Sequence, residues 1–254
     1  MSKTFDQQIP IIAIIPARGG SKSVPRKNLQ NLNGSPLISY SIDSALRSEL
    51  IEQVYVSTED AEIAKISRKY GAQVINRPDS AATDTSRDNE LLENAIENEF
   101  GSLTKDSLFV FLRPSHPLRN PSTIDAGINA FLNVTGFDCL RSMKLSTEIP
   151  YKMWRLDNDG SAIQVADYQS IDIPDPSNAP RQILPKTYYQ DGYVDVFPVR
   201  TVLKYGNTSG KRVLPFIIDE FSHDIDTFQD LAVIDSQLNN SPWPNWFKSP
   251  TQVL

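Results

Sequence analysis

Two kinds of apolar pattern alternate along this chain. Ile11 to Ile15 is a short, continuous apolar run, as expected of a strand buried on both faces. After the turn signal Leu32-Asn-Gly-Ser-Pro36, a helix is expected to open at Pro36, with Leu37, Ile38, Ile42, Ala45 and Leu46 at helical spacing. Gln53 to Ser57 reads as a second strand. Thr58-Glu59-Asp60 can cap a helix through about Tyr70, with Gly71 just past its end, and Ala72 to Ile75 is a third strand. The first 76 residues thus predict β-loop-α-β-α-β, a parallel nucleotide-binding half.

The same alternation continues. Residues 86–88 lead into a helix to about Phe100, Ser107 to Leu112 is a fourth strand, a helix runs to about Asn133, and Phe137 to Met143 is a fifth strand. Residues 144–187 break the pattern. They carry prolines at 150, 174, 176, 180 and 185, and a hairpin is expected at Lys152–Leu156 and Ser161–Val165 around Asp157-Asn-Asp-Gly160. The α/β pattern resumes with a strand over 187–199, a short helix near 199–205, a strand at Val213–Ile218 and a helix from Thr227 to Leu238. The expected organisation is a polar, flexible lead-in over 1–8, one α/β domain over 9–238 with 144–187 as an excursion, and an irregular tail over 239–254.

In open α/β sheets, ligands sit beyond the carboxyl ends of the strands, and four such regions here carry unusual residues. The first strand opens into Ala17-Arg-Gly-Gly-Ser-Lys-Ser-Val-Pro-Arg-Lys-Asn28, a loop with two glycines and the cations Arg18, Lys22, Arg26 and Lys27. Glycines let backbone amides point inward as a nest and the cations neutralise charge, so the loop reads as a phosphate cradle or, more plainly, as a solvated charged loop. It has neither the Walker A ending nor G-x-G-x-x-G spacing. The other regions are Arg77 with Thr83-Asp-Thr-Ser-Arg-Asp88, then Arg113-Pro-Ser-His-Pro-Leu-Arg119, then Ser222-His-Asp-Ile-Asp-Thr227. Three cationic ends and a carboxylate pair suggest a polyanion with a divalent metal such as Mg²⁺ on Asp224 and Asp226. The plainer reading is that one of those acids only caps the following helix.

Composition narrows the classes. The chain has 254 residues and a net charge of -6, against a general nucleic-acid or membrane surface. The single cysteine, Cys139, excludes an internal disulfide and reads as a core residue. No apolar run reaches a membrane span and the start lacks signal-peptide regions, so the cytoplasm is the expected location. His116 and His223 sit beside motifs, either touching substrate or orienting a neighbour. Arg119 reads either as a surface charge at a helix start or as part of the basic strand-end region, Tyr188 and Tyr189 as core or interface aromatics, and Trp243 and Trp246 as tail packing.

Taken together, these segments resemble the acylneuraminate (CMP-sialic acid synthetase-like) cytidylyltransferase family. The resemblance rests on Ala17–Asn28, on Leu-x-Pro-x-x-Pro-Leu-Arg at Leu112–Arg119, on Pro-Arg-Gln-x-Leu-Pro at Pro180–Pro185 and on Asp-Ile-Asp-Thr at Asp224–Thr227, in the family's order over roughly residues 9–238. It implies a Rossmann-like nucleotidyltransferase fold, α/β, with a mostly parallel central sheet flanked by helices. It also implies Mg²⁺-dependent transfer of CMP from CTP to the anomeric hydroxyl of an acidic sugar, with pyrophosphate released. Ala17, Arg18, Gly19, Gly20, Ser21, Lys22 and Lys27 would hold the nucleotide, with Asn28 near the ribose and Arg77 and Asp88 at the cytosine. Arg18, Lys22, Asp224 and Asp226 would carry catalysis, and the two acids would hold the metal. Arg113, Ser115, Gln182, Asp191 and Asp195 would face the sugar acid. Lys152 and Arg181 would reach it from the partner subunit of a homodimer built through 144–187.

The chain departs from the family pattern at several of these positions. Arg113 stands where glutamine is common, Ser115-His116 where Thr-Ser is, and Asp88 at the position of a cytosine-reading serine. Ser23 replaces a frequent glycine, and Asp191-Gly-Tyr-Val-Asp195 replaces an Asn-Gly-Ala-Ile-Tyr type segment. Lys22 separates the chain from the related Kdo branch, which usually has arginine there. The alternatives are a cytidylyltransferase for another acid (Kdo, legionaminic or pseudaminic acid, a phosphonate) and a non-catalytic nucleotide-sugar-binding module.

Overall fold

A computed structural model describes residues 9–81, 86–166, 171–221, 223–240, 247 and 250. The expectations for 1–8, for Thr83–Thr85, for Ser222, for Trp243 and for Trp246 lie outside the described residues. The chain forms two compact units: the described parts of Met1–Ser142, Gly192–Phe216 and Glu220–Leu254, and those of Met143–Asp191 with Ile217–Asp219.

The elements follow in order as β1 (Ile11–Pro16), β2 (Asn31–Leu32), β3 (Ser35–Pro36), α1 (Leu37–Leu46), β4 (Gln53–Thr58), α2 (Ala61–Lys69), β5 (Gln73–Asn76) and α3 (Asp88–Asn98). Then come β6 (Leu108–Phe111), α4 (Pro121–Leu132), β7 (Cys139–Leu145), β8 (Trp154–Leu156), β9 (Ala162–Gln164), β10 (Tyr188–Pro198), α5 (Val199–Tyr205), β11 (Val213–Ile217) and α6 (Phe228–Asn240). Among the described residues the central sheet has seven strands in the order β11-β7-β10-β6-β1-β4-β5. β1 lies parallel to both β4 and β6, and β4 is parallel to β5. β10 runs antiparallel to β6, with Asp195 opposite Phe111. This is the expected α/β fold with a mostly parallel sheet flanked by helices.

Sequence chemistry accounts for the elements. Residues of β1 are buried because helices cover both sheet faces, so the continuous apolar run is the right pattern. Ile12 and Ile14 join Leu91, Leu92, Phe109, Phe111 and Phe197 in one core cluster, as period-two side chains must. Fully burying each such side chain stabilises by about 1.5–3 kcal/mol. Asp60 caps α2 by accepting from the amides of Glu62 and Ile63, and Asn120 caps α4 with Pro121 at its first position. The expected turn at 32–36 is a small hairpin: Asn33 and Gly34 both have positive φ, 46° and 84°, as a type I′ turn requires.

A second cluster matters more for chemistry. Leu32, Leu37, Tyr40, Leu118, Ile234 and Leu238 enclose Ile225, which is fully buried. Phe247 packs on this cluster, its ring 6.3 Å from that of Tyr40. Burial of Ile225 fixes the backbone between Asp224 and Asp226.

The second unit carries the β8–β9 hairpin, with Trp154 opposite Gln164 and Leu156 opposite Ala162. Lys152 ends a short 3-10 turn and donates to the Ser177 carbonyl at 2.9 Å, while Arg181 opens another and donates to the Thr147 carbonyl at 2.8 Å. Tyr188 and Tyr189 are about half exposed, so the core reading for them does not hold. No helix among the described residues is long and apolar enough to cross a membrane.

Candidate active site

Beyond the carboxyl ends of β1, β5 and β6, the first unit encloses a cavity of about 380 Å³. From the glycine loop it is lined by Arg18, Ser21, Lys22, Lys27 and Asn28. Arg77, Asp88, Arg113 and Ser115 come from the later strand ends, and Asp226 from the segment before α6. Ten residues singled out in the sequence therefore meet at one place.

The loop is held in shape by its own chemistry. Ala17 is buried and its amide donates to the Ser57 carbonyl, extending the β1–β4 pairing by one residue. The Gly19 amide donates to Glu59 Oε1 at 2.7 Å, and a Cβ on Gly19 would lie 2.7 Å from Asp60 Oδ2, so only glycine fits without displacement. Gly20 is exposed and has open space around it. Asn28 donates to the Arg18 carbonyl at 3.0 Å and so closes the loop while lining the cavity. Arg26, at positive φ, is tied to Asp60 and Glu62. Of the loop's four cations, Arg18, Lys22 and Lys27 line the cavity and Arg26 does not.

Lys27 joins this loop to the carboxylates. Its Nζ donates to the Ile225 carbonyl at 2.9 Å and to Asp226 Oδ1 at 3.1 Å. The Ile225 amide donates to the Ser115 carbonyl, fixing the acidic segment to the loop that follows β6. Asp224 Oδ1 lies 3.6 Å from His116 Nδ1. Burial, aided by the charge of Asp226, pushes the Asp224 carboxyl above the usual carboxylate range, against a hydrogen bond from Ser115 that lowers it.

The cap of α6 is made elsewhere. Asp230 accepts from the amides of Asp226 and Thr227 and from the Thr227 hydroxyl, while its own amide donates back to Thr227 Oγ1. Neither Asp224 nor Asp226 is spent on capping, so that plainer reading of the pair fails. Asp226 beside Lys27, with Asp224 two residues before it, offers hard oxygen donors that would fit Mg²⁺, which takes one or two protein carboxylates and completes its shell with other oxygens and water. The described residues hold no group of three or more His, Cys, Asp or Glu that could bind a metal without such help.

A charged row lies at one wall of the cavity. Arg113 pairs with Asp88 at 2.8 Å and with Asp195 at 3.1 Å, and Arg141 also reaches Asp195, at 3.4 Å. Asp195 is buried and does not line the cavity, so it meets Arg113 rather than the cavity space. Burial pushes the Asp195 carboxyl up, though both guanidiniums pull against that rise.

Several side chains differ from expectation. Arg119 is not a surface charge: it is buried and donates to the carbonyls of Arg113, His116, Gly192 and Tyr193 and to the Ser41 hydroxyl. A guanidinium with five donors can hold two loops together at one point. His223 pairs with Asp230 at the α6 cap. Cys139 is a buried core residue, as expected. Lys152, Arg181, Gln182 and Asp191 belong to the second unit, where Gln182 is exposed and Asp191 buried. Sequence reading gave Glu59 only a place in a helix cap and passed over Arg141. Glu59 follows β4 directly, and the rule applied to other strand ends would have found it.

Comparison with known proteins bears on the family and the fold. The family model described as cytidylyltransferase matches residues 12–134. The N-acylneuraminate cytidylyltransferase of Escherichia coli O18:K1:H7 is 31% identical over 233 residues, 91% of this chain; the chain spans about half of that relative's length, 53%. The CMP-N,N'-diacetyllegionaminic acid synthase of Legionella pneumophila is 29% identical over 231 residues, covering 89% of this chain and 94% of the relative. Among solved structures, a CMP:2-keto-3-deoxy-manno-octonic acid synthetase complexed with CTP superposes with a TM-score of 0.67 at 16% identity, covering 91% of this chain and 98% of the other, which shows the shared fold. The chain belongs to the cytidylyltransferase family of the N-acylneuraminate type.

Proposed function

We propose that the protein transfers CMP from CTP to the anomeric hydroxyl of an acidic sugar, an N-acylneuraminate or related nonulosonic acid, and releases pyrophosphate. The observation that carries this reading is the Lys27 bridge. It ties a three-cation glycine loop to Asp226, which lines the same cavity, with Asp224 two residues away behind the buried Ile225. Transfer to a phosphorus centre needs mainly positioning and charge neutralisation. Arg18, Lys22 and Lys27 supply cations for the triphosphate, and Ser21 and the loop amides supply donors. The acceptor hydroxyl oxygen forms a bond to the α-phosphorus, the bond from phosphorus to the bridging oxygen breaks, pyrophosphate leaves, and the hydroxyl proton passes to solvent. Asp224 and Asp226 would hold Mg²⁺, which neutralises phosphate charge and lowers the pKa of a bound hydroxyl. Asp88 supplies an acceptor suited to an exocyclic amine such as that of cytosine.

The second unit supports a homodimer as part of this reading. Trp154, Leu156, Ile163 and Val165 are exposed, and the register places them on both faces of the β8–β9 hairpin. A lone two-stranded hairpin is at best marginal in water, and a second copy would give it cover. Lys152 and Arg181 on the same unit are cations suited to an acidic sugar across such an interface. The Legionella relative, matched over nearly its whole length, favours a legionaminic-type acid as the second substrate reading.

Asp226→Asn is expected to abolish turnover while CTP binding falls far less. Unchanged turnover would remove the metal assignment.

A further inference from the structure

We propose that Asp195 is a positioning residue for Arg113, and that Arg113 reads the acceptor's acid group by exchanging Asp88 for it. The proposal rests on the cytidylyl-transfer reading above and names how that site selects an anion.

The two ends of the Arg113 guanidinium meet different surroundings. Nη1 donates to Asp195 Oδ2 at 3.1 Å, and that side chain is 2% exposed. Asp195 is fixed by register, opposite Phe111 of β6, from which the chain reaches Arg113 two residues later. The same Oδ2 also receives Arg141 Nη1 at 3.4 Å, and the Nη2 of Arg141 is held by the Thr208 hydroxyl at 2.7 Å. A buried carboxylate shared by two guanidiniums has little freedom to turn. The rest of Arg113 is held as well. Its guanidinium lies over the Phe111 ring at 5.2 Å, and its Cδ lies 3.6 Å from where a Cβ on Gly192 would stand. Gly192 has φ +75°, so its place beside Arg113 favours glycine for both backbone and space.

Nη2 faces the other way. It donates to Asp88 Oδ2 at 2.8 Å, and the Asp88 side chain is 37% exposed on the cavity wall. Exposed pairs are cheap to break, whereas removing one partner from a buried pair is costly. The row holds two guanidiniums and two carboxylates and is neutral as a set. If Asp88 turns to a donor on the nucleotide, one positive charge remains on the cavity wall beside an anchored pair of N–H groups. A ligand carboxylate restores neutrality there with charge-assisted hydrogen bonds. Asp195 cannot do this itself, because it does not line the cavity.

The test measures pyrophosphate release with CTP, Mg²⁺ and a panel of sugar acids, and it titrates acid calorimetrically into protein holding CMP, where no turnover occurs. Arg113→Gln should raise the acid KM and Kd by about 10- to 100-fold, the worth of one charge-assisted hydrogen bond, with CTP KM little changed. Asp195→Asn should raise the acid constants through Arg113 and add nothing in the Arg113→Gln background. Arg113→Lys should recover part of the loss, and Asp88→Asn, which also alters the cytosine acceptor, should raise the CTP KM without raising the acid Kd. Equal shifts for CTP and acid in Asp195→Asn, or additive losses in the double variant, would mark the row as scaffolding and overturn the proposal. If Asp195→Asn does not fold, the Arg113 and Asp88 variants decide: unchanged acid constants in Arg113→Gln overturn it. Wild type that neither turns over nor binds any acid overturns the functional reading and this proposal together. Wild-type turnover with acid constants unchanged in the Arg113 variants overturns this proposal alone.

Discussion

Replacing Arg119 by methionine should lower the unfolding free energy by about 3–5 kcal/mol, the range for breaking up a buried charged network. The side chain donates to four main-chain carbonyls, those of Arg113, His116, Gly192 and Tyr193, and to the Ser41 hydroxyl. Losing its partner costs a buried acceptor about 1–3 kcal/mol, so four carbonyls give a gross loss of about 4–12 kcal/mol. The face of the Tyr193 ring, 5.8 Å from the guanidinium carbon, also loses its cation. Against this, the desolvation of a buried cation disappears, and methionine refills much of the volume. The remainder is large for one substitution, and for a body of this size it lowers Tm by roughly 6–20 °C. Urea titration followed by circular dichroism reads the stability. Below the transition, calorimetry with CTP should show weaker binding, because the clamp fixes the loop that carries Arg113 and Ser115. A loss under about 1 kcal/mol, no more than one ordinary hydrogen bond, would refute the clamp as an energetic element.

Other consequences follow from the same geometry. Gly19→Ala should weaken CTP binding and lower Tm, since its Cβ would stand 2.7 Å from Asp60 Oδ2, whereas Gly20→Ala meets nothing within 4 Å and should do neither; equal effects in the two variants would contradict the packing argument. Asp60 and Asp230 both have folded pKa values below the ordinary carboxylate range. In each, burial pushes upward and is outweighed by hydrogen bonds, from the Ile63 amide and Arg26 to Asp60, and from Thr227 and His223 to Asp230, which reaches about 2. A depressed carboxyl stabilises the fold above its unfolded pKa of about 4 and loses that contribution as pH falls through the folded value. Acid titration should therefore show stability falling from about pH 4 toward about 2, less steeply in Asp60→Asn and Asp230→Asn. The Cys139 thiol is buried and pushed up to about 11 by desolvation, so it should resist a thiol reagent at about pH 8 until the protein is unfolded.

Much of this was legible in the sequence because the fold is regular where the pattern is regular. The continuous apolar runs of β1 and β6 and the helical spacing of α1 led to a parallel sheet, and the strand-end rule then found ten cavity residues. What stayed hidden depends on register or on non-local partners. Asp195 lies in the apolar stretch Tyr193–Phe197, so its burial was readable, but its partner Arg113 follows only once β10 is known to run antiparallel to β6. Arg141 looks like any strand charge until Asp195 is placed beside it. Arg119, next to a helix start, carries no local sign that four carbonyls converge on it. The Thr227–Asp230 cap has a local signature, a hydroxyl three residues before an acid, and reading it would have settled from sequence that Asp224 and Asp226 do not cap α6.

The most direct test of the account is pyrophosphate release by purified protein given CTP, Mg²⁺ and a panel of nonulosonic acids. The account predicts release of one pyrophosphate per CMP-sugar formed with at least one acid, lost on chelation of the metal and in Asp226→Asn. Tight CTP binding with no pyrophosphate from any acid would contradict it and leave a nucleotide-binding module in its place.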